Sequence, residues 1–80
     1  MRKVYVDVAA DFTADGTVMP RSFVWDDGHR YEIDRVTDIR RAASLKAGGI
    51  GLRYTIMVRG KQSHMWLEDG QNKWFMEGKQ

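Results

Sequence analysis

Cysteine is absent from all 80 residues. Disulfides, thiolate metal sites and cysteine nucleophiles are thereby excluded, and a reducing cytoplasm suits the composition. Histidine occurs only twice, at His29 and His64, and proline once, at Pro20. No apolar run approaches the roughly 18 residues of a membrane span, and no signal-peptide pattern opens the chain. A strong charge of one sign is missing too: 13 Lys and Arg stand against 11 Asp and Glu, for a net charge of +2. Low complexity, internal repeats and a disordered composition are equally absent, with 42% hydrophobic and 30% charged residues. What remains is one small domain over residues 1–80, too short for a second core.

The charge that is present is unevenly placed. Residues 1–28 carry three basic and five acidic side chains, net −2. Residues 29–61 carry eight basic and three acidic ones, net +5, and residues 62–80 carry two and three, net −1. A local basic excess is an argument about anionic partners, not about fold.

Glycine punctuates the chain at Asp15-Gly16, Asp27-Gly28, Arg59-Gly60 and Asp69-Gly70. Glycine reaches the positive φ of tight turns without a Cβ clash, so these pairs read as turns, with Gly28 and Gly70 at hairpins. The segments between them are short and rich in Val, Ile, Tyr, Phe, Trp and Thr, a strand vocabulary. Ile50–Arg59 alternates most clearly. Ile50, Leu52, Tyr54, Ile56 and Val58 share one face, with Arg53, Thr55, Met57 and Arg59 on the other. Val4, Val6 and Val8 repeat the pattern, with Lys3, Tyr5 and Asp7 outward. A strand over Thr17–Asp26 has its ladder interrupted by Pro20, at an edge or bulge. Another begins at His29 and passes Tyr31 and Ile33, slipping phase near Asp34-Arg35 as at a bulge or bend. Thr37–Ala47 reads as a continuing strand to about Arg41 and then a loop through Gly49, with one helical turn as the alternative. Lys61–Leu67 and Asn72–Glu77 complete six strands.

Six short strands joined by tight turns predict an all-β fold: a single six-stranded antiparallel barrel or roll of the Src-homology-3 type or similar. Rolling one sheet removes most of its exposed edges. Asp34-Arg35, Pro20 and Gly51 are the expected bends.

Several local patterns together resemble a group of small proteins of Gram-positive bacteria for which no activity is established. They are Trp25-Asp26-Asp27-Gly28, Tyr31-Glu32-Ile33-Asp34-Arg35-Val36, Ala43-Ser44-Leu45-Lys46-Ala47-Gly48-Gly49, Arg53-Tyr54-Thr55 and Trp74-Phe75. The resemblance runs from about Pro20 to Glu77. It implies a free-standing bacterial cytoplasmic protein and transfers no catalytic or binding residue.

Catalysis finds little support. Ser22, Ser44 and Ser63 stand in no nucleophile-elbow setting, and His29 and His64 read as polar strand or turn residues. Asp26, Asp27 and His29 lack zinc or calcium-loop spacing, and turn chemistry already explains Asp-Gly. No catalytic residue, metal or cofactor is expected. Arg40, Arg41, Lys46 and Gly48-Gly49 lie in one segment that could cradle phosphate, although the P-loop spacing is missing. The aromatic residues should mostly form core, with Trp66 and Trp74 paired across the Asp69–Gln71 turn. Met65 and Met76 should fill gaps. Arg53 and Arg59, on one outward strand face, would serve any stacking surface for nucleic-acid bases.

The resulting expectation is a non-enzymatic binding module, for nucleic acid or another anion, through the central basic segment. Its expected contacts are Arg40, Arg41, Lys46, Arg53, Arg59 and Lys61, touching phosphates more than bases. The alternative is a protein-interaction or self-association domain using an exposed strand edge, with a protein partner or a homo-oligomer. No membrane partner is expected.

Overall fold

The computed structural model describes residues 1–79, and every described element is a β-strand. There are seven: β1 (Arg2–Phe12), β2 (Val18–Val24), β3 (Arg30–Glu32), β4 (Arg35–Ala43), β5 (Ile50–Val58), β6 (Lys61–Glu68) and β7 (Trp74–Gly78). They form one antiparallel sheet in the order β3-β2-β1-β7-β6-β5-β4. The expected barrel or roll is therefore an all-β, curled half-barrel, of seven strands where six were expected. The additional strand arises at Ile33-Asp34. Ile33 N–H donates to Arg21 C=O at 2.9 Å, and the next residue, Asp34, donates to Met57 C=O at 2.8 Å. The chain thus leaves β2 and joins β5 within two residues, breaking the expected long strand into β3 and β4. The bulge lies slightly later, between Val36 and Asp38.

β1 makes the curl possible. Its first half, Arg2–Val6, pairs with β7, and its second half, Asp7–Phe12, pairs with β2. Opposite Ala9/Ala10 the register jumps from Ser22 to Pro20. A proline cannot donate to a ladder, so the bulge accommodates it inside a paired strand. The curl brings β5 back to β2, where the Tyr54 hydroxyl donates to Val18 C=O at 2.6 Å. The turns follow the glycines: Gly28 has φ +88° and Gly70 +69°. Arg59 and Gly60, at φ +51° and +76°, join β5 to β6 in a two-residue hairpin turn.

The concave face holds the main core of Val4, Val6, Phe23, Tyr54, Ile56, Met65 and Met76. Tyr54 and Ile56 have no exposed surface, as the alternation of Ile50–Arg59 required. Leu52 departs from that expectation at 37% exposure, as does Ile50 at 47%. Both lie near the loop end of the β4–β5 pair, where Leu52 borders an open cleft with Leu67, Glu68 and Asp69.

The convex face carries a second, smaller apolar layer. In register across β5, β6, β7 and β1 stand Arg53, Trp66, Phe75 and Tyr5. Trp66 and Phe75 stack with ring centroids 5.2 Å apart and planes 3° from parallel. The loop over residues 44–49 folds onto them. A Cβ on Gly49 would lie 3.0 Å from the Phe75 ring and 2.9 Å from Lys3 Cε. Trp66 therefore does not pair with Trp74. Leu67 pairs with Trp74, so the two indoles point to opposite faces, and Trp74 packs against Tyr54 at 5.0 Å on the concave side. The tight turn between β6 and β7 sets this register, which residue spacing alone leaves open.

Candidate functional site: an aromatic cleft beside the β5–β6 turn

One end of the concave face stays open. Phe23 from β2, Trp25 just beyond it, Tyr31 from β3, Val58, Met76 and Ser63 line a cleft of about 430 Å³, bordered by Arg59 and Lys61. Each wall has a local cause. Phe23 and Tyr31 are opposite residues in the β2–β3 ladder, and their rings stack at 5.4 Å and 21°. Trp25 is held by the hairpin turn, donating to His29 C=O at 2.8 Å and accepting from Gly28 N–H at 2.9 Å. Asp27 ties the same turn by accepting from His29 N–H at 2.9 Å. That bond holds the Asp27 carboxyl below its ordinary value.

The cations come from the turn between β5 and β6. Arg59 sits at positive φ, and its backbone N–H donates to Asp34 Oδ2 at 3.0 Å. This places the guanidinium 5.2 Å from the centre of the Tyr31 ring, within cation–π range. Lys61 begins β6 and is exposed. Glu77 also borders the cleft. It pairs with Lys3 on the convex side of β7, and its Oε2 accepts from the buried Ser44 Oγ at 2.8 Å. The two cations thus meet no carboxylate of Glu77 on the concave side.

The six candidate cations separate into different places. Arg59 and Lys61 meet at the cleft. Arg40 stands on the convex face of β4, with Nε 2.7 Å from Asp38 Oδ2. That bond lowers the Asp38 carboxyl and raises the Arg40 guanidinium from their ordinary values. Arg41 is bound to Asp69 through both terminal nitrogens, which raises its pKa. Lys46 lies exposed in the loop after β4. Arg53 is on the convex face of β5, opposite Trp66. Arg53 and Arg59 therefore do not share a face, because the left-handed backbone at Arg59 turns its side chain toward Tyr31. Gly48 and Gly49 are not arranged as a phosphate nest either. Gly48 N–H is used by Ser44 C=O at 2.9 Å, while Gly49 C=O accepts from Ser44 N–H at 2.8 Å.

On the convex face, Arg53 Nε and Trp66 Nε1 are buried without a hydrogen-bond acceptor among the described residues. His64 lies beside them, its ring 6.1 Å from Trp66. Burial, and then the nearby Arg53 charge, lower its pKa from 6.5. Among the described residues no three His, Asp or Glu side chains gather as a metal site, and no helix is long and apolar enough to cross a membrane.

Sequence reasoning put Arg59 and Lys61 in the binding set but missed Phe23, Trp25 and Tyr31 as their neighbours. A signal was present in the paired aromatics flanking Asp27-Gly28, since a hairpin turn brings such residues opposite one another. No known protein family, curated protein or solved structure matches the chain.

Proposed function

We propose that this protein is a non-enzymatic binding module whose aromatic cleft takes single-stranded nucleic acid. The observation that carries the reading is the Arg59 guanidinium set over Tyr31, itself stacked on Phe23, with Trp25 and Lys61 bordering the same cleft. With Tyr31 covered by Phe23 and Arg59, a base would stack on Trp25 or on the guanidinium plane of Arg59. Such stacking is worth about 1–3 kcal/mol per base and tolerates any sequence because every base has a π-face. Arg59 and Lys61 would receive the flanking phosphates. A duplex keeps its bases stacked inside and offers such a cleft only backbone, so single strands are favoured. A bacterial cytoplasm, the setting implied by the family resemblance and suited to a chain without cysteine, supplies such ligands.

Fluorescence anisotropy with short labelled DNA and RNA tests this. Two phosphate contacts imply weak affinity, with log affinity falling by about 1.4 per tenfold rise in salt, at about 0.7 per single-strand contact. Arg59→Asn together with Lys61→Glu should abolish binding and leave the fold intact, since both side chains are exposed and Asn tolerates positive φ. Arg40→Gln, on the other face, should bind as the parent does. Absence of binding at low salt, or equal binding by the double variant, overturns the proposal.

A further inference from the structure

The sheet has two edges of unequal length. β3 is three residues long, whereas β4 is nine and has β5 on one side only. It contains neither proline nor glycine. Its free amides can be placed. Ser44 N–H donates to Gly49 C=O, and bonded pairs alternate along an antiparallel ladder. Counting back, Ala42 and Arg40 turn their amides to Gly51 and Arg53, their partners in register. Ile39, Arg41 and Ala43 therefore turn theirs outward, unpaired among the described residues. A row of free donors and acceptors is a template for another strand.

We propose that β4 pairs antiparallel with β4 of a second copy of this chain, about a two-fold axis at Ile39. The side-chain pattern selects this register. With Ile39 opposite Ile39, Asp38 of each copy faces Arg40 of the other, giving two opposite-charge pairs on the convex face. Centring on Asp38, Arg40 or Arg41 would instead place a like charge opposite itself. The bulge at Thr37 shifts the pairing by one beyond it, so Arg41 and Ala42 of the second copy come opposite Val36 and Arg35, each pair on one face of the sheet. β4 contributes no residue to the aromatic cleft, so dimerisation stands or falls independently of nucleic-acid binding.

A single added strand pair is a small interface, so association is weak and concentration-dependent. Sedimentation equilibrium on the full chain, from about 10 μM to about 1 mM, reads it directly. The parent mass should rise from 9.3 kDa toward twice that value. Asp38→Arg alone and Arg40→Asp alone should each weaken association at least about tenfold by opposing like charges. The combination Asp38→Arg with Arg40→Asp should restore it. Both side chains are at the surface, and circular dichroism confirms that each variant folds. Hydrogen exchange supplies a second readout: the amides of Ile39, Arg41 and Ala43 should slow as concentration rises. A mass fixed at 9.3 kDa throughout, single variants that associate like the parent, or a double variant that fails to recover would each overturn the proposal.

Discussion

Replacing Gly51 with alanine tests the register that holds the sheet together. Gly51 sits inside β5 opposite Glu68 of β6, at a φ outside the left-handed region. Conformational freedom is thus not why glycine is required; space is. A Cβ at this position would overlap Leu67 O and lie 2.9 Å from Leu67 C and 3.0 Å from Glu68 Cα. These are backbone atoms, which cannot rotate away as a side-chain tip can. The two strands must separate locally, straining the adjoining bond from Asp69 N–H to Ile50 C=O, now 3.0 Å. Overpacking costs about 1–3 kcal/mol, and a weakened ladder bond about 1 kcal/mol more. Against this, alanine gains about 0.5–1 kcal/mol over glycine in a strand. The balance is about 1–3.5 kcal/mol of destabilisation. In a domain of this size that lowers Tm by about 4–28 °C, at about 4–8 °C per kcal/mol. Calorimetry and urea titration with an unchanged m-value would measure it. Gly70→Ala is the control: it has φ +69° and no atom within 4 Å of an added Cβ. It should lose only the left-handed backbone penalty of about 1–2 kcal/mol. A Gly51→Ala protein as stable as the parent would refute the β5–β6 register.

Two further outcomes follow from the core and from the convex face. Ile56 is fully buried among Val4, Tyr54 and Met65 in the main cluster, so Ile56→Ala should cost about 2–5 kcal/mol by chemical denaturation; a loss under about 1 kcal/mol would mean the cluster collapses around the deletion. His64 has its pKa lowered below 6.5 by burial, then by Arg53, with Lys46 adding to the shift and Glu77 opposing it. The unfolded chain therefore binds this proton more readily than the folded one, so stability falls as pH drops below about 6.5. His64→Gln should flatten that part of the pH–stability curve, and an unchanged slope in the variant would assign the dependence elsewhere.

The convex layer shows how a short chain supplements a small core. The Trp66–Phe75 stack is covered by the loop over residues 44–49, and the rim is closed by charges. Lys3 Nζ lies 2.6 Å from Glu68 Oε2, and Tyr5 OH donates to Glu68 Oε1 at 2.7 Å. The Lys3 bond, and then the Tyr5 bond, hold the Glu68 carboxyl below its ordinary value. Burying both faces at the centre of the sheet gives an 80-residue chain more apolar contact than a one-sided sheet would.

Local chemistry was legible in the sequence by itself. Val4, Val6 and Val8 against Lys3, Tyr5 and Asp7, and Tyr54 and Ile56 against Arg53 and Thr55, announce strands and their faces because side chains alternate with a period of two. Gly28, Gly60 and Gly70 announce turns because positive φ disfavours a Cβ. These are short-range constraints, satisfied within a few residues. Tertiary structure decided what lies across a turn or across the sheet. It broke the third strand at Ile33-Asp34, because two adjacent amides found acceptors on β2 and β5. It sent Trp66 and Trp74 to opposite faces through the register of one tight turn. It also dispersed Arg40, Arg41, Lys46 and Arg53 while bringing Arg59 to Tyr31. Nearness in sequence assigns a charge to a segment, whereas the face it occupies depends on pairing, backbone handedness and the curl that joins β5 to β2.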